Sequence, residues 1–414
     1  MLPNKHIPLA TKAQPTSDAA KSAEASPPTA QTIRVEKPQE TSLAPTVEAK
    51  QGWAELVDQL TPEWRFLCQE SSADEPFYQP EWIAAYARAY LPPHTLLLLT
   101  ARTAGKLSAV LPLMTGRVNV AGIPLRRLRA AYRPYTSRFD LTRCDGPTGK
   151  AAVNALWAFL KELPEWDVLE FPDVPEGGAL EDLLRLAQAD GCPTGRVRSM
   201  NSPYVSLSGW DGREDYFLRQ VDSRFASTLR RRRRRLTEQG PLALRAFKDA
   251  DPDLLRLFFN LETSGWKGLQ GTAISNDLRY RQFYEEVARS SARFGYLRLH
   301  FLEYQGKMIA GHFGLTYRHR HSTPKGARDE GYDRYGPGHL LMDLVLRECA
   351  QQGLGEFDFL CEDDSWKLSW TSEVRPHAHL YIFRKNPQGR LAHLGRFKFK
   401  PVLRALLGKR NPAR

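Results

Sequence analysis

The chain has 414 residues, 42% of them hydrophobic and 10% aromatic, with a formal net charge of +12. That length exceeds one compact domain, and no apolar run approaches the roughly 20 residues that span a bilayer, which excludes a single small module and an integral membrane protein. Cys68, Cys144, Cys192, Cys349 and Cys361 stand far apart and never as a CxxC pair, which excludes a disulfide framework and a structural zinc site.

Residues 1–50 are rich in Pro, Ala, Thr, Ser, Lys and Glu, a composition that buries too little apolar surface to offset chain entropy, so a disordered tail is expected. Met1 to Pro8 leads into polar sequence without the apolar stretch of a secretory signal, and a cytoplasmic protein is expected. Order is expected from Trp53, with a helix through Leu56, Val57 and Leu60 and another over Glu81 to Tyr90. Leu96 to Ala101 and Leu107 to Met114 read as a hairpin around Gly105-Lys106, followed by strand candidates at Ile123 to Leu128 and Phe139 to Leu141. Ala151 to Leu163 reads as a helix, Val168 to Phe171 as a buried strand, Leu180 to Ala189 as a helix and Tyr204 to Leu207 as a strand.

The second half repeats this plan. A long helix over about Arg213 to Gln239 precedes a strand at Leu242 to Phe247 and helices near Pro252 to Thr263 and Asp277 to Ala292. A hairpin, Tyr296 to Tyr304 and Met308 to Tyr317, turns at Gln305-Gly306-Lys307 as the first turns at Gly105-Lys106. A loop then leads to a helix at Gly338 to Gln352, a strand at Phe357 to Leu360, a short helix around Asp364 to Trp370 and a closing strand at Leu380 to Arg384. Two tandem α/β modules with mixed sheets are expected, 51–210 and 211–386, with a basic tail over 387–414.

The positive charge is concentrated. Arg230 to Arg235 is an unbroken run of six arginines, and Arg384 to Arg414 holds ten Lys or Arg and no acid. Such runs suit phosphates, whether of a nucleotide, an anionic leaflet or nucleic acid. Arg230 and Arg234 are candidate substrate-binding residues, and the tail is suited to peripheral contact with an anionic membrane. Neither run is interleaved with aromatics in a known reader motif, so DNA is not expected.

Tyr335-Gly336-Pro337-Gly338-His339 opens an apolar helix, and glycines bracketing a proline leave first-turn N–H groups facing outward toward an anion. A strand pair lies ahead of this loop, and a helix and the strand Phe357 to Leu360 follow it. His319 and His321, like His377 and His379, have the i, i+2 spacing of metal pairs, but Arg318 and Arg320 repel a cation, and no metal is expected.

In these stretches the chain resembles the GNAT superfamily, and within it the CelD-like acetyltransferases of cellulose and exopolysaccharide loci, relatives of the FemAB peptidyltransferases. The resemblance spans about Trp53 to Arg384. It rests on Phe77-x-x-Pro80-x-Trp82, Leu261-Glu262-x-x-Gly265-Trp266-Lys267-Gly268, Lys325-Gly326-Ala327-Arg328-Asp329-Glu330, Tyr335-Gly336-Pro337-Gly338 and Phe357-Asp358-Phe359-Leu360-x-x-Asp363-Asp364-x-Trp366-Lys367-x-x-Trp370. The cofactor loop departs from the common GNAT pattern, with Asp333 at its first position and Pro337 between the glycines.

The resemblance implies two tandem GNAT-like folds, the second holding acyl-CoA at Tyr335, Gly336, Pro337, Gly338 and His339. It implies direct transfer of the acyl group to a sugar or envelope-precursor acceptor. Glu262 and Asp364 are the first candidates for the base, ahead of Asp358 and Asp363, and Tyr335 for the acid toward the leaving thiolate. Trp266, Lys267, His312, Lys325, Asp363 and Lys367 are candidates for acceptor binding. The alternatives are a FemAB-like transferase that takes aminoacyl-tRNA as donor and a non-catalytic scaffold of a polysaccharide system.

Overall fold

The computed structural model describes residues 44–132, 137–212, 221–264 and 273–399. Most of the expected disordered tail, the start of the expected long helix at 213–220, and 400–414 of the basic tail lie outside them. The amino-terminal half runs β1 (Thr46–Gly52), α1 (Ala54–Gln69), α2 (Pro80–Tyr90), β2 (Leu96–Thr103), β3 (Lys106–Val120), β4 (Ile123–Ala130), β5 (Thr142–Arg143), α3 (Gly146–Glu162), β6 (Val168–Pro175), α4 (Ala179–Ala189) and β7 (Thr194–Ser206). The second half continues with α5 (Ser223–Thr237), β8 (Leu242–Phe247), α6 (Pro252–Thr263), α7 (Leu278–Arg293), β9 (Leu297–Tyr304), β10 (Lys307–Tyr317) and β11 (Arg320–Arg328). It closes with α8 (Pro337–Gln351), β12 (Glu356–Asp358), α9 (Ser365–Leu368), β13 (Val374–Phe383) and α10 (Pro387–Leu394).

The mixed α/β class is as expected, and the repeat is visible strand by strand. In each half four antiparallel strands lead to one parallel neighbour reached through a helix: β1-β2-β3-β4 beside β6, with α3 between, and β8-β9-β10-β11 beside β12, with α8 between. The hairpins share one turn geometry, with φ of 50° and 79° at Ala104-Gly105 and again at Gln305-Gly306. Two successive positive φ values match the right-handed twist of the flanking strands.

The last strand of each half is exchanged. β7 closes the first half yet pairs with β12, whereas β13, at the end of the chain, pairs with β6, and β7 and β13 pair with each other. One continuous 13-stranded sheet results. The boundary expected near residue 210 therefore falls within one sheet, in which β13 pairs with β6 of the first half. A tail over 1–50 also needs revision, because Thr46–Gly52 pairs along the edge of β2. Its alternation of half-buried and exposed residues is that of an edge strand. The helices α2 and α7 meet in one core, with Trp82 edge-on to Phe283 at 5.2 Å.

Candidate active site

β11 stands where a loop is expected, since Thr323-Pro324-Lys325-Gly326 carries neither an apolar run nor clean alternation. It pairs with β12 only over Arg320–Ser322 against Glu356–Asp358, then runs on to Arg328 without it. The two parallel strands thus separate beyond Ser322 and Asp358. At the point of separation β11 carries a bulge, because Leu315 faces Ser322 while Phe313 faces Lys325. Thr323 and Pro324 oppose Gly314 alone. The Thr323 hydroxyl is buried and has no hydrogen-bond partner among the described residues.

The start of α8 follows β11 in the chain order expected, and a Cβ on Gly338 would stand 3.9 Å from Cδ of Arg328 at the end of that strand. Gly336 is left-handed, with φ 61° and ψ 57°, and Pro337 begins the helix. A Cβ on Gly336 would stand 2.6 Å from Nη1 of Arg232. Arg232 is one of the six consecutive arginines, and α5 explains why this one reaches the loop. Leu229 and Leu236 are buried one heptad apart, and Arg232 and Arg233 sit between them on the same face. Arg233 reaches Asp343 at 3.9 Å. Arg230 and Arg234, the expected binders, are exposed, and Arg234 pairs with Glu238 one turn on. Arg328, paired with Asp333 at 2.7 Å, also approaches the loop. Burial, with Arg232 and Arg328 adding to it, holds His339 down to about 4. A helix N-terminus flanked by two guanidiniums and a left-handed glycine is suited to a diphosphate.

Tyr335 does not stand open as an acid. Its ring is buried, and its hydroxyl donates to Oε1 of Gln239 at 2.8 Å. The phenol is thereby fixed toward the end of α5.

Glu262 and Lys325 are brought together, as the sequence could not show. Glu262 is 2% exposed, and its carboxylate accepts the Ile274 N–H at 2.9 Å and lies 4.0 Å from the Lys325 ammonium. Lys325 stands 4.9 Å from the centre of the Tyr280 ring. Trp266 and Lys267 lie outside the described residues. His312 is buried opposite His300 and Gly326, so it alternates to the other side of the sheet from Lys325, whose partner on β10 is Phe313. There His300, across from it, pairs with Glu348 of α8.

Beyond β12 the chain makes two successive left-handed residues, Leu360 at φ 61° and Cys361 at φ 57°. Lys367 holds them. Its ammonium is buried and donates to the carbonyls of Leu360 at 2.9 Å and Glu362 at 2.7 Å, with Asp364 at 3.1 Å. Lys367 is therefore a support of the loop rather than a group turned toward an acceptor, and Asp364 is its ion-pair partner. Asp363 accepts from Asn201 at 2.9 Å.

Asp358, a further base candidate, is fully buried against Arg138 and Arg375. Burial alone would raise its carboxyl, but the two guanidiniums hold it below the usual carboxylate range. It is a structural anion. Arg138 and Thr323 carry no signal in the sequence, whereas Arg232 lies in the six-arginine run, spaced from Leu229 and Leu236, and Arg328 lies in the motif Lys325 to Glu330.

The equivalent opening in the first half is closed by its own chain. Beyond the β4 to β6 pairing the Phe139 N–H bonds to the carbonyl of Asp173 on β6, and Tyr132, Phe139 and Leu141 are buried there. A cleft of about 390 Å³ lined by Asp74, Arg318, Arg320 and Glu356 lies at the opposite end of β12 from the splay.

Residues 223–368, from α5 through α9, match the family described as Acetyltransferase (GNAT) domain. Among solved structures, FemX is similar over 84% of this chain and 100% of its own, at 12% identity and a TM-score of 0.52. The carboxy-terminal domain of a putative lysylphosphatidylglycerol synthetase from Agrobacterium fabrum is similar over 85% of this chain and 96% of its own, at 11% identity and a TM-score of 0.51. No curated protein matches the chain. At such identities the likeness is one of fold, and it covers both halves. Fold and family match together make the chain similar to GNAT-fold acyltransferases.

Proposed function

We propose that the chain transfers an acyl group from acyl-CoA directly to an amine or hydroxyl of an amino-sugar or another envelope or exopolysaccharide precursor, cellulose systems included. The observation that carries this reading is the meeting of Arg232, Arg328 and left-handed Gly336 at the start of α8, beside strands that part beyond Ser322 and Asp358. These residues fit a diphosphate followed by an extended arm, and the donor belongs to the second half because the first half is filled by Phe139 and Tyr132.

Acyl-CoA supplies a thioester. Glu262 takes the proton from the attacking nitrogen or oxygen as its bond to the acyl carbon forms, and the carbon–sulfur bond then breaks to release the thiolate. Lys325, 4.0 Å from Glu262, orients that carboxylate. Thr323, at the bulge, offers a hydroxyl for the developing oxyanion. The exposed arginines Arg230, Arg231, Arg234 and Arg235 give the approach a cationic wall that suits a phosphate-bearing acceptor. The motifs shared with CelD-like enzymes support the acceptor class, and among the described residues no helix is long and apolar enough to cross a membrane.

The test is the thermal midpoint with acetyl-CoA, longer acyl-CoAs and free CoA titrated separately. A dose-dependent rise supports the donor. No rise with any of them removes it and leaves the exposed arginines to the second reading, an aminoacyl-tRNA donor, whose mark is a salt-sensitive affinity for tRNA. Absence of both leaves a non-catalytic scaffold.

A further inference from the structure

The helix α10 (Pro387–Leu394) lies against the strands that close the first half, and among the described residues only its inner side is covered. Gly389 and Ala392 are buried, Gln388 donates to the carbonyl of Pro124 at 2.7 Å, and the His393 ring bonds the carbonyl of Thr194 and stacks on Phe397. On the outer side Leu391 is 57% exposed and Leu394 42%. Three residues apart, they share one face. Single exposed leucines are ordinary on any surface, but here two stand together on an eight-residue helix.

The surroundings are cationic. Arg390 and Lys398 are exposed on either side of the pair. Two acids that approach this region, Asp167 and Asp190, are engaged, with Arg126 and with Lys161. From Arg384 to Arg414 no Asp or Glu occurs. A second copy of the chain would bring like charge against like, and nucleic acid would satisfy the cations but leave the leucines in water. An anionic bilayer offers both a phosphate layer and an apolar layer beneath it.

We propose that the outer face of α10 docks on an anionic lipid surface, Leu391 and Leu394 entering the headgroup boundary while Arg390 and Lys398 meet lipid phosphates. The contact is peripheral. It does not depend on the acyltransferase reading, and its test involves no CoA.

The experiment is co-sedimentation of the full chain with vesicles of phosphatidylcholine, with and without phosphatidylglycerol. A Leu391→Glu/Leu394→Glu variant runs in parallel, and its thermal midpoint shows that it folds. The expected result is binding to the phosphatidylglycerol vesicles only, weakened by salt and reduced about tenfold in the double variant. Failure of the wild type to bind, equal binding to neutral vesicles, or a double variant that binds like the wild type each overturns the proposal. So does RNA binding that is lost in the same variant, since it would assign the face to nucleic acid.

Discussion

Arg138 and Asp358 form an ion pair in which both side chains are buried, at 1% and 0% exposure, and which joins the two halves of the chain. The pair belongs to a closed ring. Asp358 also binds Arg375, Arg375 holds Glu356 with two hydrogen bonds, Glu356 binds Arg320, Arg320 binds Glu75, and Glu75 returns to Arg138. Three guanidiniums and three carboxylates alternate along the β11–β12 pairing, from Arg320 and Glu356 at its start to Asp358 at its end. Breaking a buried pair from one side leaves a charge without its counterion, which costs about 3–5 kcal/mol, whereas replacing both partners with apolar residues is often neutral.

Asp358→Asn is accordingly expected to destabilise the fold by about 3–5 kcal/mol in urea unfolding, although the amide keeps the acceptor for the Leu360 N–H. Arg138→Met combined with Asp358→Leu should recover most of that loss. Because the folded carboxyl is held below its unfolded value of about 4, its contribution is present above that pH and is lost only as pH falls through the lower value. A double variant no better than the single one would show that the ring is not a charge pair in the energetic sense.

His377 lies beside the ring, 1% exposed, and burial, with Arg138 adding to it, holds it down to about 4. The unfolded imidazole takes up a proton near 6.5, so the unfolded state binds more protons between about 4 and 6.5 and stability falls as pH drops through that window. Asp74 and Asp140, both raised to about 6, chiefly by burial, act in the opposite sense over nearly the same range. The informative quantity is therefore the difference between variant and wild type. His377→Gln should lose less stability than wild type between pH 7 and pH 5, by on the order of 2 kcal/mol, in paired urea titrations. Parallel losses would place the acid sensitivity elsewhere.

Much of the fold was legible because it is repeated. The hairpin turns at Gly105 and Gly306, the buried strands at Val168 and Phe357 and the apolar helix after Gly338 carry local signals that any copy of the module shares. The strand exchange left no such signal, since β7 and β13 read as closing strands of their own halves and only long-range pairing decides which sheet receives them. β11 escaped because a bulged strand with Pro324 and Gly326 lacks period-two alternation. Among the site residues, Glu262 and Lys325 were named but their proximity was not, being a contact between α6 and β11. The i, i+3 spacing of Asp364 and Lys367 suits an ion pair and acceptor binding alike and does not reveal that the ammonium is buried.

Gly336→Ala tests the start of α8. A left-handed backbone costs a non-glycine residue about 1–2 kcal/mol, and the new methyl would displace the Arg232 guanidinium 2.6 Å away. The expected outcome is a modest loss of stability with a several-fold rise in KM for acyl-CoA and little change in acceptor KM. Arg232→Gln should reproduce the KM effect without the stability loss. An unchanged donor KM in both variants would detach this helix start from the donor.

Glu262→Gln separates chemistry from packing. The amide keeps an oxygen to accept the Ile274 N–H but removes the charge facing Lys325, so a loss of about 1–3 kcal/mol with the fold retained is expected. Loss of a general base should lower kcat by about 10²–10⁴-fold with acceptor KM little altered. A folded variant with full kcat would assign proton removal to another group.

Lys367 connects the backbone beyond β12 to the width of the opening proposed for the donor. Leu360 and Cys361 are both left-handed without being glycine, a conformation that costs about 1–2 kcal/mol at each and persists only where the surroundings enforce it. The enforcing group is the Lys367 ammonium on the carbonyls of Leu360 and Glu362. Lys367→Met keeps the buried stem and removes the donors, so about 2–4 kcal/mol of stability should be lost and amide exchange should quicken at Phe359 to Asp364. Released from that clamp, the segment after Asp358 relaxes toward extended backbone and β12 is free to follow β11 further, narrowing the gap that begins at Ser322. Donor KM should then rise along with the faster exchange. Adding Cys361→Gly to Lys367→Met supplies a residue that accepts the left-handed conformation, and it should restore part of the donor affinity even where stability is not regained. Failure of the glycine to improve donor KM would show that Lys367 acts on stability alone.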